Sequence, residues 1–157
     1  VVHRDISPKN MLVNKDMLRA GREDAVKIID FGLAMTVGEL KAVRYTDKMG
    51  TVGYRAPEQF SKRSIDQRVD VYAFGATMYE LATGQQPFKG STKQEKRFHQ
   101  QHPSSLPSPQ KLEPRIPDDL DELIMVCLNQ KKEDRPEDLS VVHTRLLGIR
   151  YRQRAEG

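Results

Sequence analysis

The fifteen residues from Arg68 to Ala82 constrain the fold of this chain more than any other segment. Val69, Val71, Tyr72, Ala73, Phe74, Ala76, Met78, Tyr79, Leu81 and Ala82 cover every side of the segment when it is wound as a helix. A helix that is apolar all round is covered all round, so it belongs at the centre of a fold. Ahead of it, Ser64-Ile65-Asp66-Gln67 offers a capping box or an aspartate cap, and Gly84 behind it fits the left-handed residue that closes a helix. Asp70 falls inside the apolar surface. A buried, unpaired carboxylate is very costly, so Asp70 must find donors, and backbone N–H groups of another segment are expected.

The rest of the chain is sized to wrap one such helix. With 157 residues, 37% hydrophobic and 31% charged, it is long enough for one real core and short for two domains. Cys127 is the one cysteine, which excludes an internal disulfide framework and fits a reducing, cytoplasmic compartment. No apolar run approaches the length of a membrane span, and no signal peptide is recognised. The net charge of +4 is spread evenly. Arg145, Arg150, Arg152 and Arg154 cluster near the end, but no nucleic-acid-reading motif accompanies them, and a solvated helix end accounts for them. The chain opens on Val1, inside a motif, and reads as a piece of something longer.

Before the central helix, Met11-Leu12-Val13 and Val26-Lys27-Ile28-Ile29 are short β-prone runs that predict a small hairpin with a long polar connection, Asn14 to Asp24. Phe31 to Gly53 has no sustained periodicity and reads as a loop; one of that length is usually functional or disordered. After it, residues 89–117 hold five of the nine prolines, which suggests one short helix over Ser91 to Phe98 and then a loop through Pro103, Pro107, Pro109, Pro114 and Pro117. Leu120, Leu123, Ile124, Cys127 and Leu128 fall at helical spacing behind Asp118 and Asp119. A last helix is expected to start at Pro136, with Glu137 and Asp138 in its first turn and Leu139, Val142, Leu146 and Ile149 on its inner face. The fold class expected is therefore mainly α with a small β-hairpin.

Four strings carry chemical signal, in a fixed order. His3-Arg4-Asp5-Ile6-Ser7-Pro8-Lys9-Asn10 leads into the first strand, and Asp30-Phe31-Gly32 leaves the second. Gly50-Thr51-Val52-Gly53-Tyr54-Arg55-Ala56-Pro57-Glu58 closes the long loop, and Asp70-Val71-Tyr72-Ala73-Phe74-Gly75 begins the buried helix. In this order and on these elements the chain resembles the C-terminal lobe of a eukaryotic-type protein kinase, over nearly all of its length. The resemblance implies a partial kinase domain across residues 1–157, without the N-terminal lobe. It implies phosphoryl transfer from ATP to Ser/Thr hydroxyls of proteins, with Asp5 as the catalytic-loop base and Asn10 and Asp30 holding Mg²⁺ through hard oxygen ligands. A bland reading of Asp5 and Asp30, as surface loop carboxylates, sits poorly with the flanking pattern. Residues 30–58 correspond to the activation segment, where Thr51 helps shape the acceptor pocket and Gly-Thr-x-x-Tyr is the serine/threonine pattern. Arg4 beside Asp5 marks the type switched by loop phosphorylation, with Thr46 the first candidate phosphosite, Tyr45 and Thr36 behind it, and Asp47 a partial substitute for phosphate. Glu58 is expected to pair with Arg135, and Asp70 to accept from the catalytic-loop backbone.

Two departures from the family pattern matter. Ser7 stands where most serine/threonine kinases place a lysine that reaches the transferred phosphate. Lys9, two residues on, is expected to supply that cation; the alternative is a solvated surface lysine. Asp5 and Asp30 are 25 positions apart, several more than usual, which enlarges the hairpin connection. A Gly-rich loop over the phosphates and a strand lysine paired to a helix glutamate are not found in the sequence, so ATP binding between two lobes is not expected of this chain by itself. A non-catalytic, truncated kinase-like binding module is the alternative, and exposed apolar surface where a second lobe packs would support it. A small-molecule phosphotransferase shares His-x-Asp-x-x-x-x-Asn but lacks the segment Gly50 to Glu58. His99-x-x-His102 has no further ligands at zinc spacing, and Cys127 sits on an apolar helix face as a core residue.

Overall fold

An apolar helix needs neighbours on all sides, and the observed architecture is largely the set of elements that provide them. The computed structural model describes residues 1–40, 50–60, 64–88, 97 and 106–156. In chain order these form β1 (Met11–Val13), α1 (Lys15–Arg19), β2 (Val26–Ile28), α2 (Val37–Leu40), α3 (Arg68–Thr83), α4 (Pro109–Leu112), α5 (Asp118–Cys127) and α6 (Leu139–Glu156), with short 3₁₀ turns between them. The long central helix is α3, closed by Gly84 at φ 69°. It sits between two apolar clusters. Val69, Tyr72, Ala76 and Tyr79 face Val2, Leu40, Tyr54, Ala56, Ile65, Phe88, Ile124 and Leu128. Val71, on the other side, joins Leu123, Cys127, Val142 and Ile149 from α5 and α6. Covering Tyr72, Tyr79 and Val69 almost completely contributes about 1.5–3 kcal/mol for each large apolar side chain.

The hairpin has the expected strands, antiparallel and in the register Met11↔Ile28, Leu12↔Lys27, Val13↔Val26. A further pair of backbone bonds joins Val2 to Met35, so the start of the chain and the segment after Asp30 lie side by side.

Several expectations need correction. The polar connection is not a simple loop: Asn14 caps α1 by accepting from the N–H groups of Asp16 and Met17, both at 3.1 Å. The stretch from Phe31 is broken by α2, where Thr36 and Glu39 hydrogen-bond reciprocally. At the start of α3, Asp66 accepts from the N–H of Arg68 at 3.0 Å, and neither Ser64 nor Gln67 forms a capping box. Helix α6 begins at Leu139, three residues later than expected, because the Asp138 carboxylate accepts from the N–H groups of Ser140 and Val141. A carboxylate at that position satisfies orphan donors, which a proline inside the first turn cannot do. Leu81 is exposed: Phe74 and Met78 on its face pack beside Leu120, Leu123 and Leu146, and that cover does not extend one turn further. The expected helix over 91–98 (Arg97 apart), together with Tyr45, Thr46, Asp47, His99, His102 and Pro103, lies outside the described residues. Among the described residues no helix is long and apolar enough to cross a membrane.

Gly75 shows how closely α3 and α5 approach. A Cβ built there would lie 2.6 Å from Cys127 Cβ. Gly75→Ala should destabilise the full-length protein by about 1–3 kcal/mol in urea unfolding, and Cys127→Ala should not rescue it, because the clash is with a carbon that alanine keeps. A second test concerns pH. Burial pushes the Asp66 carboxyl up, but the ion pair with Lys132 at 2.9 Å and the Arg68 N–H outweigh it and hold its pKa below the usual value. The folded-state pKa is therefore lowered, so this contribution is present above the ordinary carboxylate range and is lost as pH falls through the folded value. Asp66→Asn should flatten the loss of stability seen below about pH 4 in acid titration followed by circular dichroism.

Candidate active site

The site is built on the one charged group that α3 carries into the core. Asp70 accepts from the backbone N–H of His3 at 2.6 Å and of Arg4 at 2.8 Å. Burial pushes its carboxyl up, against the pull of those two N–H groups. The loop held this way is strained: Arg4 has φ 66°, in the left-handed region. A Cβ at Gly50 would lie 3.0 Å from the Arg4 carbonyl oxygen, so the residue facing this turn is a glycine at φ 83°. His3 extends the frame. Its Nδ1 accepts from the Asp5 N–H at 3.3 Å, which leaves Nε2 to donate to the Ile29 carbonyl at 3.2 Å. Its ring meets Phe31 edge-on, with centroids 4.7 Å apart.

Three of the residues picked out from the sequence converge on Asp5. The Thr51 N–H and Oγ1 both donate to Asp5 Oδ1 at 2.7 Å, across 46 residues of chain. Asn10 Nδ2 donates to Asp5 Oδ2 at 3.0 Å and to the Asp5 carbonyl at 2.8 Å. Lys9 Nζ stands 3.9 Å from Asp5 Oδ2, its side chain 59% exposed against 11% for Asp5. A carboxylate offers about four acceptor positions. Three are used, so Asp5 is fixed in orientation with one position left for an incoming donor.

Asp30 stands at the end of β2 with φ 65°, so Arg4 and Asp30 are the two non-glycine residues with left-handed backbones among those described. Its Oδ1 accepts from the Gly32 N–H at 3.2 Å. The carboxylate is otherwise exposed, and β2 is tied to the loop by the Ile29 N–H donating to the Asn10 carbonyl at 2.9 Å. Asn10 spends its amide nitrogen on Asp5, and its amide oxygen, like the second carboxylate oxygen of Asp30, is a hard donor of the type that Mg²⁺ takes. No group of three or more His, Cys, Asp or Glu among the described residues forms a metal cage. A cation at this place would need further oxygens from a ligand, as Mg²⁺ bound with phosphates does.

Two further clusters brace the segment that delivers Thr51. Arg135 holds Glu58 with two bonds of 2.7 and 2.8 Å, donates to the carbonyls of Asn129, Gln130 and Arg68, and lies 4.8 Å over the Tyr72 ring. Both side chains are almost fully buried. The hydroxyl of Tyr54 donates to Glu80 and accepts from Gln86 Nε2 at 3.0 Å; burial, and then Glu80, raise its pKa. This last cluster was not anticipated from sequence, where residues 54, 80 and 86 carry no shared spacing signal. Arg4 donates through Nε to the Leu33 carbonyl, while its buried Nη1 has no hydrogen-bond partner among the described residues. Thr46 lies outside those residues. The terminal arginines are engaged: Arg145 with Glu122, Arg150 with Glu23 and Arg152 with Asp119.

The sequence that builds this frame is similar to those of known proteins. The protein kinase domain family matches residues 1–147, and the chain belongs to that family. It is 34% identical over 142 residues to serine/threonine-protein kinase A of Synechocystis, a match covering 90% of this chain and 27% of that protein. It is 30% identical over 157 residues to serine/threonine-protein kinase PknB of Mycobacterium leprae, covering 99% and 24%. With the DNA damage-responsive serine/threonine-protein kinase RqkA of Deinococcus radiodurans it shares 34% identity over 138 residues, 87% of this chain and 20% of the relative. The chain thus spans about a quarter of the length of these curated relatives.

The buried pair invites a direct test. Arg135→Leu leaves the Glu58 carboxylate uncompensated and should cost about 3–5 kcal/mol in urea unfolding of the full-length protein, with Glu58→Leu/Arg135→Leu recovering much of that loss.

Proposed function

We propose that these residues form the substrate-facing half of a serine/threonine protein kinase within a longer protein, which moves the γ-phosphate of ATP to a Ser or Thr hydroxyl of a protein. The observation that carries this reading is Asp5. It is half-buried, held by Thr51 and Asn10, and retains one acceptor position. A hydroxyl donating there is oriented for attack on a phosphoryl group, and its proton has a carboxylate to pass to. Asn10 and Asp30 supply oxygens for Mg²⁺, which neutralises charge between the phosphates when bound. Lys9, 3.9 Å from Asp5, brings to the transferred phosphate the positive charge that Ser7 does not. Thr51 acts twice, orienting Asp5 and lining the acceptor pocket. Arg4, with an unpartnered buried Nη1, suits a phosphate on the following segment, at Thr46 or a neighbour. ATP use and the one cysteine of the chain, the free thiol Cys127, fit a cytoplasmic location for this part of the protein.

One observation favours a second reading, a non-catalytic binding module. Leu12, Val13 and Phe31 are 58%, 50% and 60% exposed, an apolar surface around the hairpin that suits a covering partner. A second lobe in the same protein would cover it equally well. Activity separates the two. In radiolabelled phosphate transfer by the full-length protein, Asp5→Asn should lower turnover by about 10²–10⁴-fold. Lys9→Ala should lower kcat by about 10²-fold, as loss of one charge-stabilising donor does, with thermal stability unchanged. Wild-type turnover in Lys9→Ala returns Lys9 to the role of a solvated lysine; no transfer by the wild type favours the binding module.

A further inference from the structure

Two stretches of this chain go beyond the family pattern, and they meet. One is the enlarged hairpin connection; the other is the end of α6, which runs to Glu156, past residue 147 where the family match stops. Arg150 Nη1 donates to Glu23 Oε1 at 2.9 Å, joining the two across 127 residues. The connection is a stiff arm. Asn14 caps α1, the Arg22 N–H donates to the Met17 carbonyl at 3.0 Å, and the Asn14 N–H donates to the Ala25 carbonyl at 2.8 Å. Arg22 also forks onto Asp24 at 3.0 and 3.1 Å, so the residues on both sides of Glu23 are held. From Glu23 the chain runs directly into β2 and on to Asp30. The two strands have three residues each, and a ribbon that short is marginal by itself, so its position is set by what holds its two ends. At the near end the Ile29 N–H donates to the Asn10 carbonyl, and Asn10 is bonded to Asp5. At the far end the ion pair ties the arm to α6, where the neighbouring Ile149 is buried in the cluster with Val71 and Leu123.

We propose that Arg150 is a positioning residue for the cation site: through Glu23 it holds the far end of the hairpin whose near end carries Asn10 and Asp30. The inference rests on the reading of Asn10 and Asp30 as Mg²⁺ ligands. An exposed ion pair is a weak tie that salt screens, so this tether is one that ionic strength, or a partner engaging the outer turns of α6, releases. Release widens the range of positions open to Asp30 relative to Asn10. That weakens the hold on a cation needing both oxygens, while Asp5 keeps its bonds to Thr51 and Asn10.

Charge reversal in the full-length protein tests this. In Arg150→Glu and in Glu23→Arg, amide exchange at Asn14 and Ile29, measured without nucleotide or metal, should rise about two- to fivefold, the range an exposed pair supports. The Mg²⁺ concentration that half-saturates phosphate transfer should rise by a similar factor, with kcat at saturating Mg²⁺ unchanged. The double swap Glu23→Arg/Arg150→Glu should restore both. Arg152→Glu, which loses the pair with Asp119 on α5, should change neither. Unchanged exchange in both single variants, no recovery in the swap, or an equal rise in Arg152→Glu overturns the tether. Raised and recovered exchange with an unmoved Mg²⁺ requirement overturns the positioning role. Absence of transfer by the wild type overturns the kinase reading, and exchange then decides the tether by itself.

Discussion

Asp70 is a carboxylate in a place where water has been removed, and the energetic penalty of that placement organises the molecule. Its two oxygens are answered by two successive backbone N–H groups, those of His3 and Arg4. A backbone donor, unlike a side chain, cannot rotate away; answering Asp70 fixes the path of the main chain itself. From that fixed path His3 reaches back to Asp5 and across to Ile29, and the left-handed turn at Arg4 aims Asp5 toward Thr51. The central helix is thus both the most buried element and the ruler against which the reactive loop is measured. Remove the carboxylate and two donors are stranded in the core, a defect larger than the loss of two ordinary hydrogen bonds.

A second constraint works from the far side. Thr51 comes to Asp5 from a segment whose end is anchored by Glu58, and Glu58 is held by a guanidinium that three backbone carbonyls also share. Replacing Arg135 by lysine would keep the charge and lose the planar fork that makes this sharing feasible. The two anchors, Asp70 and Arg135, both bear on the first turn of α3: one from the side chain of its third residue, the other through the carbonyl of Arg68. Loop and segment are therefore referenced to the same few residues, which is how groups 46 positions apart meet at 2.7 Å.

Much of this was legible in the sequence because it rests on rules that act locally or on a group that cannot be left alone. The apolar girdle of α3, its glycine stop, the β-hairpin and the inner face of α5 follow from periodicity. The need for donors at Asp70 follows from burial of charge. What escaped was decided by competition or by distance. Asp138 outbid Pro136 for the start of α6 because a capping oxygen meets a real need, whereas proline merely tolerates the position. Asn14 turned a polar connection into a capped helix. The Tyr54–Glu80–Gln86 cluster and the ion pairs of Arg145, Arg150 and Arg152 join residues whose separations have no periodic meaning. At the site itself the sequence singled out Asp5, Lys9, Asn10 and Thr51, and the structure brings them together, while the sharing of Asp5 between Thr51 and Asn10 is a three-dimensional fact.

The left-handed backbones of Arg4 and Asp30 carry a consequence for how such a chain changes over generations. Each is a position whose backbone glycine or asparagine would adopt with less local strain. The two are not equally held: Arg4 is buried and donates to the Leu33 carbonyl, whereas Asp30 is exposed and its carboxylate accepts from the nearby Gly32 N–H. A lineage released from the proposed chemistry would be free to relax position 30 first, with α3 and its girdle untouched, and position 30 would be the earlier place to record that the change had happened.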